Sequence, residues 1–294
     1  MVTWRAVLVE ASGRLGQAQE ARWIVEAAGG SSPAMLLAMI DDDIPADAID
    51  RVRSMVDRRL AGEPLQHVLR LWQFRSLDVL VDGRALVPRP ETELLVEVAL
   101  NELDRLWVAG TNRSGDHLFV ADLGTGSGVI ALSLAAERGY VEVVGVDRSA
   151  AALALARENL SLLDTDLARR VRLAEGDWFS GLPPEWAGRV ALVASNPPYL
   201  AASEWPGLDP VVRDFDPYES LVSGATGLEA ISLLVAVAPE WLAPEGSFAV
   251  EIAPHQSQDA LDLVAGAGSA YTDARVVPDL AGRPRILLAR RSTE

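Results

Sequence analysis

Apolar residues recur along this chain with two different periods, and the change of period divides it. From about residue 3 to 61 the spacing is helical. Ala18, Ala21, Ile24, Val25 and Ala28 fall on one face, and Gly29-Gly30 ends that segment, because a helix closes readily on a left-handed glycine. Ser31-Ser32-Pro33 starts another helix, with a hydroxyl N-cap and a proline whose fixed φ suits an early helical position. A third is expected over about 46–60, with Ile49, Val52, Met55 and Val56 on one face and Arg51, Arg53, Arg58 and Arg59 outside it. Asp41-Asp42-Asp43 reads as a solvated loop or as negative charge for a helix N-terminus. No group here has an evident chemical duty, so the segment reads as a small helical module for scaffolding or substrate docking.

From Gly62 the pattern changes. Residues 74–81 alternate, Asp82-Gly83 is a strong turn signal, and Arg84–Val87 returns, which predicts a β-hairpin. Pro88-Arg89-Pro90-Glu91-Thr92-Glu93 follows, and then apolar residues at helical spacing. Pro90 suits the first helical turn, and Glu91 and Glu93 suit its positive end. A helix start accounts for these residues, and a place near a cofactor is the second reading. After a polar stretch, Gly110–Asp116, the elements alternate. Strands are predicted at 118–123, 141–146, 171–174, 190–194 and 246–252, with helices at 129–137, 150–163, 227–242 and 256–265. This order implies a parallel sheet. Two last strands, 275–277 and 286–288, are close enough in sequence to pair antiparallel at an edge.

Composition removes several chemistries. Among 294 residues there is no cysteine, and all 26 basic residues are arginine. Disulfides, zinc–thiolate sites, thiol nucleophiles, Schiff-base lysines and the lysine of a P-loop are therefore excluded. His67, His117 and His255 are scattered, with no metal-ligand spacing, so no metal is expected. A net charge of -16 disfavours a broad grip on nucleic acid. Arg5 and Glu10 interrupt any signal-peptide pattern, and no apolar run approaches the ~20 residues of a membrane span. The expectation is a soluble, cytoplasmic monomer.

Candidate chemistry gathers at strand ends. Asp122-Leu-Gly124-Thr125-Gly126-Ser127-Gly128 joins the strand at 118–123 to the next helix, where glycines permit close backbone approach and the helix N-terminus supplies donors. A dinucleotide fingerprint would require glycine at Val129. What remains is G-x-G-x-G, suited to a cofactor with a carboxylate and a ribose but no pyrophosphate. Asp147 ends the next strand, where a carboxylate can accept from ribose hydroxyls or cap the helix beginning near Ser149. Asp177-Trp178 ends the third and offers an acceptor beside an aromatic surface, or a core Trp beside a capping Asp. At the fourth strand end stands Asn196-Pro197-Pro198-Tyr199. Two prolines cannot continue a central strand, so the chain must leave the sheet where open α/β folds bind ligands.

With these motifs the sequence resembles the class I S-adenosylmethionine-dependent methyltransferases. More narrowly, it resembles the protein-(glutamine-N5) methyltransferases acting on peptide chain release factors, the HemK/PrmC type. Gly62-Glu-Pro-Leu-Gln66, Pro88–Glu93, Gly176–Phe179, Arg213–Pro217 and Gly224–Leu228 extend the likeness over nearly the whole chain. His67 and Arg70 depart from the family's usual Tyr and Gly, and Ala253 from a usual Gly. The resemblance implies an α/β fold, a Rossmann-like seven-stranded sheet with helices on both faces. It would comprise a helical docking domain (1–73), a hairpin linker (74–88) and a catalytic domain (89–294). It implies S-adenosyl-L-methionine held by Gly124, Thr125, Gly126, Ser127, Gly128, Asp147, Asp177, Trp178 and Asn196. The partner it implies is a release factor's Gly-Gly-Gln loop, with no nucleic acid and no membrane expected. Asn196 Oδ1 and the Pro197 carbonyl would each accept one N–H of the glutamine amide, Pro198 would stiffen the loop, and Tyr199 would pack on the amide or beside the methyl. The alternatives are an adenine-N6 methyltransferase acting on DNA or RNA, which shares the Asn-Pro-Pro-Tyr motif, and a non-catalytic adaptor.

Overall fold

In the computed structural model, which describes residues 2–110 and 117–293, the first helices begin on local chemistry. The Thr3 hydroxyl accepts the Ala6 N–H and starts α1, Trp4–Leu15, and α2, Ala18–Gly29, closes on Gly30 at φ 59°. The Ser32 hydroxyl accepts the Met35 N–H and Pro33 opens α3, Pro33–Ala38. Then follow α4, Ala46–Leu60, and α5, Leu65–Leu69. These helices bury Trp4, Val7, Ile24, Val25, Val52 and Val56 against one another. The arginines predicted to lie outside the apolar face of α4 reach across to its neighbours: Arg59 meets Glu20 at 2.7 Å, and Arg51 Nε donates to the Ala28 carbonyl at 2.8 Å. Helix α5 ends on Arg70, whose φ of 65° is left-handed. A side chain there costs on the order of 1 kcal/mol that glycine would not, which accounts for the usual family residue.

The chain divides into two compact units, Met1–Trp72 with Asp209–Phe215, and Gln73–Leu208 with Asp216–Glu294. The first is the helical module, to which the later segment carrying the short helix Pro210–Arg213 also belongs. The hairpin lies earlier than its turn signal predicts: β1 is Leu71–Phe74, β2 is Leu77–Leu80, and Arg84–Val87 forms no strand. The chain turns at Arg75, at φ 50°. Glu93 Oε1 accepts the Arg75 N–H at 3.2 Å, and the Arg75 guanidinium pairs with Glu137 at 2.6 Å. Asp82-Gly83 does turn the chain, but Asp82 accepts the backbone N–H and the guanidinium of Arg84 and closes no ladder.

The second unit continues with α6, Pro90–Val108, then β3, Leu118–Leu123, α7, Val129–Glu137, β4, Val141–Asp147, and α8, Ala150–Ser161. Its further strands are β5, Val171–Glu175, β6, Val190–Ser195, β7, Leu200–Ala201, β8, Val222–Gly224, β9, Leu242–Glu251, β10, Tyr271–Pro278, and β11, Pro284–Arg291. The predicted polar stretch lies, from residue 111 to 116, outside the described residues. Seven strands form one sheet in the order β10-β11-β9-β6-β3-β4-β5. β3, β4, β5, β6 and β9 run parallel, β11 runs antiparallel to β9, and β10 pairs antiparallel with β11 at the edge, as the spacing predicted for the last two strands. Helices pack around the sheet, and Val146, Val193, Leu234 and Phe248 are among the side chains of its core. The order of connection reverses between β3 and β6, so a crevice opens at their carboxyl ends. A separate pair, β7 with β8, has no counterpart in the sequence reading; it holds the chain just beyond Tyr199. Among the described residues no helix is long and apolar enough to cross a membrane.

Candidate active site

The glycine-rich turn leaves β3 with Gly124, Gly126 and Gly128 at φ 73°, 56° and 88°, a left-handed series that side chains resist. The Gly124 and Thr125 N–H groups both donate to the Val146 carbonyl, at 2.8 and 2.9 Å, tying the turn to the end of β4. Gly126 N–H donates to Asp147 Oδ2 and Ser149 N–H to Asp147 Oδ1, each at 2.8 Å. Ser149, rather than Asp147, caps α8 through the Ala152 N–H. Asn159 on α8 accepts the Leu80 N–H at 2.6 Å and donates to the Ser127 carbonyl at 2.9 Å, joining β2 to the turn.

Beneath the turn lies Asp122, fully buried. Its Oδ2 accepts the Thr125 hydroxyl at 2.5 Å and the Ala131 N–H at 3.0 Å. Burial nevertheless pushes this carboxyl up to about 7. Gly145, beside Asp122 on β4, makes the arrangement possible: a Cβ there would stand 2.7 Å from Thr125 Oγ1. Sequence reading passed over Gly145, although a lone glycine inside an otherwise valine-rich strand signals such a close approach.

A cavity of about 490 Å³ opens above the turn. Of the predicted residues, Gly124, Thr125, Gly126, Ser127 and Asp147 line it, and so do Asp177, Trp178, Asn196 and Pro198. Trp178 sits at φ 51°, with its ring 3.6 Å from where a Gly124 Cβ would be. Gly128, Pro197 and Tyr199 are not on the wall. A Cβ on Gly128 would instead stand 3.3 Å from Ala156 and Leu132 side-chain atoms. The Tyr199 ring lies partly buried against the core, and burial pushes its phenol up to about 12. The Tyr199 backbone is held on both sides: its N–H donates to the Leu221 carbonyl at 3.1 Å, and its carbonyl accepts Gln256 Nε2 at 2.8 Å.

Residues read as a hairpin or a helix start also contribute to the wall, including Gly83, Ala85, Val87, Arg89 and Thr92. Arg89 is fixed by Asp216 at 2.6 Å. The motif Pro88–Glu93 was the signal for this segment, and Pro88, Arg89 and Thr92 line the same cavity as Asp147 and Asn196.

Asn196 follows β6 directly. Its Nδ2 donates to Thr92 Oγ1 at 3.1 Å, and the Thr92 hydroxyl donates to Glu251 Oε2 at 2.8 Å. Glu251, the last residue of β9, is 2% exposed. Burial pushes its carboxyl up to about 7, with Glu91 adding to the shift and Thr92, Arg285 and Arg89 opposing it. Asn196 Oδ1 is buried without a hydrogen-bond partner among the described residues. Such an orphan acceptor costs about 1–3 kcal/mol, a cost that a ligand N–H would relieve.

Residues 4–69 match the PrmC N-terminal domain family and residues 108–206 the Methyltransferase small domain family. The release factor glutamine methyltransferase of Moorella thermoacetica is 39% identical over 259 residues, covering 88% of this chain and 86% of that protein. The enzyme of the same name from Deinococcus radiodurans is 37% identical over 294 residues, covering 98% of each. The hMettl16 catalytic domain shares the fold alone, with a TM-score of 0.52 at 12% identity over 84% of this chain and 82% of that one. Likeness that runs through both units, at the identities of these curated relatives, shows that the chain belongs to the release factor glutamine methyltransferase family.

Proposed function

We propose that this chain transfers a methyl group from S-adenosyl-L-methionine to the side-chain amide nitrogen (N5) of the glutamine in the Gly-Gly-Gln motif of peptide chain release factors, in the cytoplasm. The cavity wall suits that methyl donor. Asp147 presents a carboxylate, pinned by two backbone N–H groups, to the hydroxyls of a ribose, and each oxygen keeps a second lone pair for that purpose. Asp177 and Trp178 offer an acceptor and an aromatic face to the adenine. The turn from Gly124 to Ser127 admits the amino-acid portion close to backbone, where side chains would obstruct it. When bound, S-adenosyl-L-methionine supplies an electrophilic methyl group.

The protein's own part is orientation. An amide nitrogen is a poor nucleophile because its lone pair is delocalised into the carbonyl. Asn196 Oδ1 accepts one N–H of the glutamine amide and the Pro197 carbonyl accepts the other, so the nitrogen turns its free face to the donor. Neither Pro197 nor Pro198 has an N–H, and their ring-locked φ holds the acceptors in place before substrate arrives. Positioning of this kind supplies up to about 7–11 kcal/mol of a barrier. No strong base stands in the motif: the nitrogen–methyl bond forms as the sulfur–methyl bond breaks to leave a neutral thioether, and the cationic amide then releases one N–H proton to solvent.

The observation that carries this reading is the unpaired, buried Asn196 Oδ1, an acceptor with no use in the fold. Radiolabelled methyl transfer tests it. Label should enter a release factor, and should be absent from the same factor with its Gly-Gly-Gln glutamine substituted and from DNA. Label in DNA alone would favour an adenine amine as acceptor, and label in neither would favour an adaptor.

A further inference from the structure

The side-chain amide of Asn has nearly the same shape after a half-turn, but the turn exchanges one acceptor for two donors. If the substrate is an amide N–H2, as proposed above, only one of the two orientations is productive. The flipped one would set N–H against N–H. Something in the fold must therefore choose.

Three elements meet at that choice: Asn196 at the exit of β6, Thr92 in the first turn of α6 and Glu251 at the end of β9. All three groups are withdrawn from water. Thr92 is 3% exposed and Glu251 is 2% exposed, and Asn196 Oδ1 is fully covered. An ionised carboxylate oxygen can only accept, so Glu251 Oε2 takes the Thr92 hydroxyl hydrogen across 2.8 Å. With its hydrogen committed, Thr92 Oγ1 faces Asn196 with lone pairs alone. Nδ2 can then approach to 3.1 Å, whereas Oδ1 in the same place would meet lone pairs with lone pairs.

We propose that Thr92, polarised by Glu251, is a positioning residue that locks the Asn196 amide with Oδ1 toward the substrate. The inference rests on the glutamine-methylating reading for its kinetic consequence, and on hydrogen-bond direction alone for the lock itself.

Thr92→Val keeps the shape and removes the hydroxyl, and Thr92→Ser restores the hydroxyl with one methyl fewer. At about pH 8, where Glu251 is ionised, the Val variant should lower kcat for release factor by about tenfold to a hundredfold, the worth of one buried hydrogen bond. Its cofactor Kd by calorimetry should stay within about threefold of wild type, and the Ser variant should recover kcat to within about threefold. A Val variant with wild-type kcat, or a Ser variant as slow as Val, would overturn the proposal, the latter by showing that shape rather than the hydroxyl matters. A second measurement does not depend on the acceptor. The Asn196 side-chain amide protons, assigned by their loss in Asn196→Asp, should exchange with solvent at least about tenfold faster in the Val variant than in wild type or Ser. Equal exchange in all three overturns the lock. If wild type methylates no glutamine, the functional reading falls, and the exchange comparison alone still decides the role of Thr92.

Discussion

The Ser195 hydroxyl donates to the Leu123 carbonyl across 2.5 Å, a fully buried bond that ties the end of β6 to the end of β3. Ser195 precedes Asn196, and Leu123 precedes Gly124. This hydrogen bond extends the β3–β6 ladder by one residue, toward the proposed amide holder and the proposed cofactor turn. Ser195→Ala takes away the hydroxyl that the buried Leu123 carbonyl accepts and loosens the two strand ends beyond the Asp122–Ala194 pair. It should cost about 1–2 kcal/mol of stability, read from urea midpoints, and lower kcat more than it weakens cofactor binding.

Asn196→Ala removes the orphan acceptor and leaves the Asp147 side of the cavity untouched. Single-turnover methyl transfer should fall by about a hundredfold or more, while the cofactor Kd changes by less than about tenfold. A normal single-turnover rate would remove Asn196 from the mechanism.

Asp147→Ala deletes the carboxylate that two backbone N–H groups hold in place. The expected result is a cofactor Kd raised by about tenfold to a hundredfold, for the loss of charged hydrogen bonds. Calorimetry checks it directly, and an unchanged Kd would show that the ribose is held elsewhere.

Gly145→Ala would place a Cβ 2.7 Å from Thr125 Oγ1 and 3.0 Å from Leu173 Cδ2. Thr125 would have to release Asp122. The variant should lose about 1–3 kcal/mol of stability and bind cofactor more weakly, whereas neighbouring Val144→Ile should show no comparable loss of cofactor affinity.

Glu251 gives a pH signature. Burial raises its folded pKa to about 7 from the ordinary 4.5. A raised carboxyl contributes stability that is fully present below the unfolded value and is lost as pH rises through the folded value. Glu251→Gln carries no such loss. Between about pH 4.5 and 7, wild type should therefore lose about 3 kcal/mol relative to the Gln variant, and the difference should stay flat above that range. The partners that face Glu251, namely Glu91, Arg285, Arg89 and Tyr199, are common to both proteins, so urea midpoints at both ends of the range isolate this carboxyl.

The elements legible in the sequence are those whose causes are local. The period of apolar residues gave β3 and α7 with their observed bounds, and Pro90 opened α6 as its fixed φ predicts. The hairpin is a different case. Asp82-Gly83 carries the stronger turn signal, yet the ladder closes at Arg75, which no local rule marks. Its backbone N–H is held by Glu93 and its guanidinium by Glu97 and Glu137, at separations of 18 to 62 residues. The pair β7 with β8 was hidden for a similar reason, since two-residue and three-residue strands have no period to read.

By itself, the sequence determined that four strand ends would carry a glycine turn, Asp147, Asp177-Trp178 and Asn196-Pro-Pro-Tyr, because strand periodicity and proline stops act over a few residues. The tertiary structure decided which of these share a cavity and how their atoms face. Thr92 and Glu251 stand 159 positions apart in the chain, and Asn196 joins them only when β6, β9 and α6 converge. The direction of a hydrogen bond depends on which groups are brought together and kept from water, and that is settled when the sheet closes.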